Sequence, residues 1–283
     1  MASQREIRRR IAAVRNIKQI TRAMQFVAAS KLKRAQDATL HARPYSQKLD
    51  EVLADLAAVL GGDEHPLLAR REGGKRLIVL VTSDRGLAGP FNTNTIRFAA
   101  QAITDHPGDL AVVTVGRKGR DAMRRAGVPI AAHFEGYGDR PAFADVLPLA
   151  RLITDDYLNG TYNRVDIVFS QFFSTLTQKP AMDTLLPIEP SEDTEGIPGN
   201  QFIFEPDPGT LLERLLPRYV ATRLFQAVLE SKASEESSRM VAMRNATDNA
   251  EELIGDYTLA YNKVRQANIT REMIEIASGA EAR

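Results

Sequence analysis

The chain has 283 residues, 43% of them hydrophobic, and 37 basic against 36 acidic side chains give a formal net charge of +1. That length supports one mid-sized core with chain to spare, and the absence of cysteine excludes disulfides, thiol catalysis and zinc–thiolate sites. No apolar run approaches the roughly 18 residues of a membrane span and the N-terminus has no apolar signal core, which predicts a soluble or peripheral protein.

The first predicted element is a long amphipathic helix over residues 1–58, with an apolar stripe at Ile7, Ile11, Val14, Ile17, Ile20, Met24 and Val27. It is strongly basic. Residues 1–34 hold ten Lys or Arg against Glu6 alone, a formal +9 hidden by the neutral total.

Residues 75–206 read as alternating strands and helices. Arg76 to Thr82 is a short run rich in β-branched residues, followed by a turn at Asp84-Arg85-Gly86 and a helical stretch through Ile96, Phe98 and Ile103. Leu110 to Val115 repeats the strand pattern, and then come a helix over Arg120 to Ala126 and a strand over Ile130 to Phe134. A helix from Phe143 to Leu158 and a strand from Val165 to Phe173 complete the series. This order predicts an α/β domain with a Rossmann-like, mostly parallel sheet. The stretch Pro187 to Gly199, rich in Pro, Glu, Ser, Asp and Gly, reads as an exposed connection.

The last element is the longest. After Pro206-Asp207-Pro208-Gly209 no glycine appears until Gly255, and the only interior proline is Pro217, so a helix over 208–283 of about 70 residues and on the order of 100 Å is predicted. Apolar residues recur at Leu253, Tyr257, Ala260, Val264 and Ala267 in alternating steps of four and three, a coiled-coil seam. Acids gather at Glu230, Glu235, Glu236, Asp248, Glu251, Glu252 and Asp256. Two such helices at opposite ends of a folded domain pair most simply as an antiparallel coiled coil, the acidic one beside the basic one. Rods of this kind commonly serve only to oligomerise or to space domains apart.

Signals for catalysis are weak. His41, His65, His106 and His133 lack metal-ligand spacing and read as surface or packing residues. Gly116-Arg117-Lys118-Gly119-Arg120 lacks the G-x-x-x-x-G-K-[ST] spacing by which successive N–H groups wrap a phosphate, and G-x-G-x-x-G is absent. Asp84, at the carboxyl end of a predicted parallel strand, is the best enzymatic candidate. Its ordinary reading is a strand-to-helix turn, which requires Asp and Gly.

Three segments carry a family resemblance. Ile11 to Met24 (IAAVRNIKQITRAM) with Val27-Ala28-Ala29-Ser30-Lys31-Leu32, the strand-end Ser83-Asp84-Arg85-Gly86-Leu87-Ala88-Gly89 with Phe91-Asn92-Thr93, and Asn262 to Glu272 (NKVRQANITRE) with Glu275 to Ala280 stand in order along the chain. They resemble the γ subunits of bacterial F-type ATP synthases. Ala88 stands where many members carry Cys, Ile17 where Thr is usual, and Phe202 and Phe204 where some have Tyr. The cysteine-bearing insertion of chloroplast members is missing, so thiol control is not expected.

The resemblance implies a non-catalytic rotor shaft, without cofactor or metal, standing inside a ring of three α and three β subunits. Its α/β domain would join the ε subunit and the membrane c-ring, with the complex at the cytoplasmic face of the bacterial inner membrane. Carried over by motif, Met24 would meet an acidic lever of a β subunit, and Arg239, Gln266, Thr270 and Glu275 a β catch loop. Phe202, Phe204 and Glu205 would lie near the ε and c-ring contact. For Met24 plain seam packing is an equal reading. Two other classes stay open: a nucleic-acid-binding coiled coil, suggested by the +9 helix, and an α/β enzyme using Asp84.

Overall fold

The computed structural model describes residues 3–60, 65–71, 73–106, 108–189, 205 and 207–281. Five helices and five strands follow in the order α1 (Gln4–Leu60), β1 (Arg76–Val81), α2 (Phe91–Thr104), β2 (Leu110–Val115), α3 (Arg117–Arg125), β3 (Ile130–Phe134), α4 (Phe143–Leu158), β4 (Arg164–Phe172), β5 (Gln178–Leu186) and α5 (Pro208–Glu281). The chain divides into two compact units, residues 29–238 and residues 1–28 with 239–283.

The larger unit is built on a five-stranded sheet of order β3-β2-β1-β4-β5. The first four strands are parallel and β5 runs antiparallel to β4. Period-two alternation sorts the central strand between two cores. Leu77, Val79 and Val81 pack with Val146, Leu149, Ile153 and Tyr157 of α4, Leu53 and Leu56 of α1, and Leu216, Val220 and Leu224 of α5. Ile78 and Leu80 face Ala99 of α2 and Met123 of α3. Each fully buried Leu or Ile contributes about 1.5–3 kcal/mol, so the sheet is held firmly from both faces.

β5 is the element sequence patterning misses. It carries Pro180 at its third position, with Lys179 before it and Asp183 further on. An edge strand tolerates these residues because only one side needs a hydrogen-bond ladder, but they erase its strand signature. The parallel strands agree with expectation to within about one residue of their bounds.

In the smaller unit, residues 4–28 of α1 pair with the part of α5 up to about Tyr261. Gln4 Nε2 and Arg8 Nη2 donate to the Tyr261 hydroxyl (3.0 and 2.6 Å), Lys18 Nζ reaches Glu251 at 2.8 Å, and the Thr21 and Thr247 hydroxyls meet at 2.8 Å. Partner numbers fall as residue numbers rise, so the pair is antiparallel. The seam differs in part from the expected one. Of the expected stripes, Ile7, Ile11, Val14 and Met24 on α1 and Tyr257 and Val264 on α5 are shielded, and Lys18, Thr21 and Ala28 on α1 and Met243, Thr247, Ala250, Ile254 and Tyr261 on α5 are shielded beside them. Ile17, Ile20 and Val27 are exposed, as are Leu253, Ala260 and Ala267. Polar residues occupy several seam positions and are satisfied by each other, so counting apolar side chains alone recovers only part of the seam.

Candidate functional site

The carboxyl ends of the parallel strands, where α/β sheets bind ligands, are closed by the chain itself. Both Asp84 oxygens are taken: Oδ1 accepts the Arg117 N–H and Oδ2 the Gly136 N–H, each at 3.1 Å. Asp84 therefore braces the turns that follow β1, β2 and β3, which accounts for this residue without a substrate. Beside it, the Asn92 amide exchanges hydrogen bonds with Ser83. Gly116 and Gly119 serve closeness rather than phosphate binding. A Cβ on Gly116, at φ +91°, would stand 2.3 Å from the Thr82 carbonyl oxygen, and one on Gly119 2.8 Å from the Thr82 hydroxyl that accepts the Gly119 N–H at 2.9 Å.

At the end of β4 the occupant is α5. Ser231 Oγ accepts the Ser170 N–H at 3.1 Å and Ser234 Oγ donates to the Ser170 carbonyl at 3.0 Å. One turn on, Ser237 Oγ donates to the Thr175 carbonyl at 2.7 Å and Ser238 Oγ to Gln178 Oε1 at 3.1 Å. Small hydroxyl side chains let a helix approach a sheet closely and bond to it. Sequence reasoning missed this face, although serines at 231, 234, 237 and 238 recur at helical spacing in a helix otherwise poor in serine. Where a dinucleotide enzyme would hold its ligand, this sheet holds a helix.

Charges reinforce the same junction. Lys31 of α1 reaches Asp139, in the loop after β3, at 2.8 Å. Lys232 of α5 lies 3.9 Å from Asp139, 3.0 Å from Glu235 and 3.4 Å from Glu236. The Lys31 hydrogen bond, helped by the charges of Lys31, Lys232 and Arg85, holds the Asp139 carboxyl below its usual range. A depressed carboxylate stabilises the fold above its unfolded value, and the contribution is lost as pH falls through the folded one. The Asp139 tie thus persists at neutral pH and fails only in acid.

Glu230 behaves oppositely. It is 7% exposed, its Oε2 has no hydrogen-bond partner, and burial pushes its carboxyl up, only partly offset by the Gln226 amide at 3.3 Å. The folded state therefore binds the proton more tightly, and the cost of its charge is present above the raised value. Glu230→Gln is expected to stabilise the protein at pH 7 by about 1 kcal/mol. That advantage should shrink as pH falls from the raised value toward the ordinary glutamate range, and it should be gone below that range. Denaturant unfolding at two pH values checks it, and a destabilised variant at pH 7 would show that the charge has a partner worth keeping.

The residues singled out from sequence are spread over the molecule. Met24 is half-buried and Arg239 is buried, both in the helix pair. Gln266, Thr270 and Glu275 are exposed toward the end of α5. The Thr270 hydroxyl donates to the Gln266 main-chain carbonyl at 3.0 Å, and the Gln266 side-chain amide has no hydrogen-bond partner among the described residues. Glu205 is exposed, while Phe202 and Phe204 lie outside the described residues. What joins the α5 group is the apolar surface around it: Leu259, Ile269, Met273, Ile274 and Ile276 are 47 to 73% exposed. Exposed apolar surface of that extent marks a contact with other molecules.

The chain matches the ATP synthase family over residues 3–282. It is 48% identical to the ATP synthase gamma chain of Dehalococcoides mccartyi over 284 residues, covering 100% of this chain and 99% of that one. To the gamma chain of Pelotomaculum thermopropionicum it is 45% identical over 282 residues, at the same coverage. This chain belongs to the ATP synthase gamma chain family. The fold agrees. The Euglena gracilis mitochondrial ATP synthase rotor superposes with a TM-score of 0.69 at 20% identity, covering 94% of this chain and 98% of that one. A Tetrahymena thermophila mitochondrial central stalk gives 0.59 at 22% identity, covering 80% and 99%. For a gamma chain, a closed strand end and a helix bonded across it are features of a mounting. Among the described residues no helix is long and apolar enough to cross a membrane.

Proposed function

We propose that this chain is the central shaft of a rotary ATP synthase. Residues 1–58 and 208–283 form the shaft and residues 75–206 the domain that seats it. The observation that carries this reading is the end-to-end identity with gamma chains. In this reading a ring of three α and three β subunits surrounds the helix pair and covers the apolar end of α5, and the α/β domain meets ε and the c-ring at the cytoplasmic face of the inner membrane. Phe202, Phe204 and Glu205 are the ε and c-ring contacts in this reading. Catalysis resides in the β subunits. The shaft presents a different face to each, stabilising three conformations in turn as it rotates. Protons crossing the membrane supply about 2.3 kcal/mol per charge for each 100 mV.

Met24, Arg239, Gln266, Thr270 and Glu275 are the β-subunit contacts in this reading. Directional hydrogen bonds suit a contact that forms in one rotary position and breaks in the next. Gln266→Leu combined with Thr270→Val is expected to lower ATP synthesis and hydrolysis several-fold while the complex still assembles, measured on membranes carrying the variant. Normal turnover in both directions would reduce the pair to packing. The reading as a whole is tested by co-purification of the tagged chain with α and β subunits, and by ATP turnover of the chain alone, expected to be nil. Turnover by the isolated chain that disappears in Asp84→Ala would overturn it.

A further inference from the structure

A cavity of about 300 Å³ opens among α1, the loop after β3 and α5, within the larger unit. Its polar lining is Arg34, Asp37, His41, Asp139, Arg140 and Lys232. Both acids are already engaged by lysines outside the lining: Asp37 by Lys33 at 2.9 Å and Asp139 by Lys31 at 2.8 Å. Lys232 is satisfied in turn by Glu235 and Glu236. The remaining three are different. Among the described residues neither Arg34, His41 nor Arg140 has a carboxylate partner, and the hydrogen bond shown for Arg34 uses only Nε, to the Ser30 carbonyl at 3.3 Å. The terminal N–H groups of both guanidiniums are left for something else. Between these side chains the wall is apolar, formed by Ala35, Ala38, Pro141 and the buried Leu229.

We propose that this cavity binds a small phosphate ester with an apolar body. Guanidinium groups offer paired N–H donors that match phosphate oxygens, and two arginines from different elements can hold one phosphate from two sides. Arg34 and His41 stand seven positions apart on α1, on one helical face, with Ala38 between them. The anion therefore sits at the cationic rim and its apolar part lies against Ala38, Pro141 and Leu229. The volume is at the lower end of small-molecule sites. Because every lining residue comes from this one chain, the proposal stands or falls independently of the rotary reading.

The test uses the purified full chain and three probes: 1-naphthyl phosphate, inorganic phosphate and 1-naphthol. Titration calorimetry is expected to show saturable one-to-one binding of naphthyl phosphate, about tenfold or more tighter than either half. Arg34→Gln with Arg140→Gln should weaken it about tenfold or more. Both side chains are exposed, so the fold is retained, which circular dichroism verifies. Arg97→Gln on α2, exposed and outside the lining, removes charge elsewhere and should change nothing. Three outcomes overturn the proposal: no saturation with naphthyl phosphate, equal loss in the Arg97 variant, which means diffuse attraction, or naphthol binding as tightly as its phosphate.

Discussion

Asp166→Ala is expected to cost about 3–5 kcal/mol of stability, the largest effect of any substitution considered. Asp166 is wholly buried in β4. Its carboxylate accepts from Arg76 Nε of β1 at 2.6 Å, from Arg164 Nε at 3.0 Å and from the Thr184 hydroxyl of β5 at 3.0 Å. Three strands thus meet at one side chain, and the Arg76 side chain is only 13% exposed. Removing the carboxylate leaves that guanidinium largely desolvated and unmatched, whereas Asp166→Asn keeps the shape and one acceptor and should cost less than half as much. Denaturant unfolding of the two variants measures both. A loss below about 1 kcal/mol for Asp166→Ala would mean that Arg76 finds water readily, and the network would then be ornamental to the sheet.

The second large effect concerns function. Met24→Lys is expected to slow ATP turnover of the assembled complex roughly 5- to 150-fold, or to uncouple it from proton movement, with a steeper temperature dependence. In the rotary reading proposed above, a cation there would pair with the acidic lever of a β subunit in one rotary position. Since that pair must break in every turn, its strength of about 1–3 kcal/mol adds to a barrier. Met24 is only half-buried in the helix pair, so a longer side chain has room to leave the seam. Met24→Leu, which preserves packing, should change little. Equal damage from both variants would assign the effect to shape and dismiss the ion pair.

The parallel strands were legible because a buried strand is a short β-branched run between turn residues, as in Leu77 to Val81. The long helices were legible because nothing interrupts them. The seam was read only in part, with Ile7, Ile11, Val14, Met24, Tyr257 and Val264 shielded as expected, for a definable reason: Lys18, Thr21, Thr247 and Tyr261 also sit between the helices, paired with each other or with Glu251, Gln4 and Arg8, and a search for apolar periodicity passes over them. Ile17 and Ile20, which seemed to define the stripe, face outward. β5 was hidden by Pro180. Asp84 was recognised as a turn residue, but its two backbone partners, 33 and 52 positions away, are visible only once the strands are side by side. The serine face of α5 went unread because serine in a helix is ordinarily taken as solvent-facing.

Those serines have a mechanical consequence. A helix held only by greasy contacts can creep about its own axis, since one apolar neighbour is nearly as good as the next. The bonds from Ser231, Ser234, Ser237 and Ser238 to Ser170, Thr175 and Gln178 are directional. Turning α5 by a single residue step, about 100°, would break every one of them. The joint is keyed, like a spline in a socket, so twist applied to α5 at this level passes into the sheet without slippage.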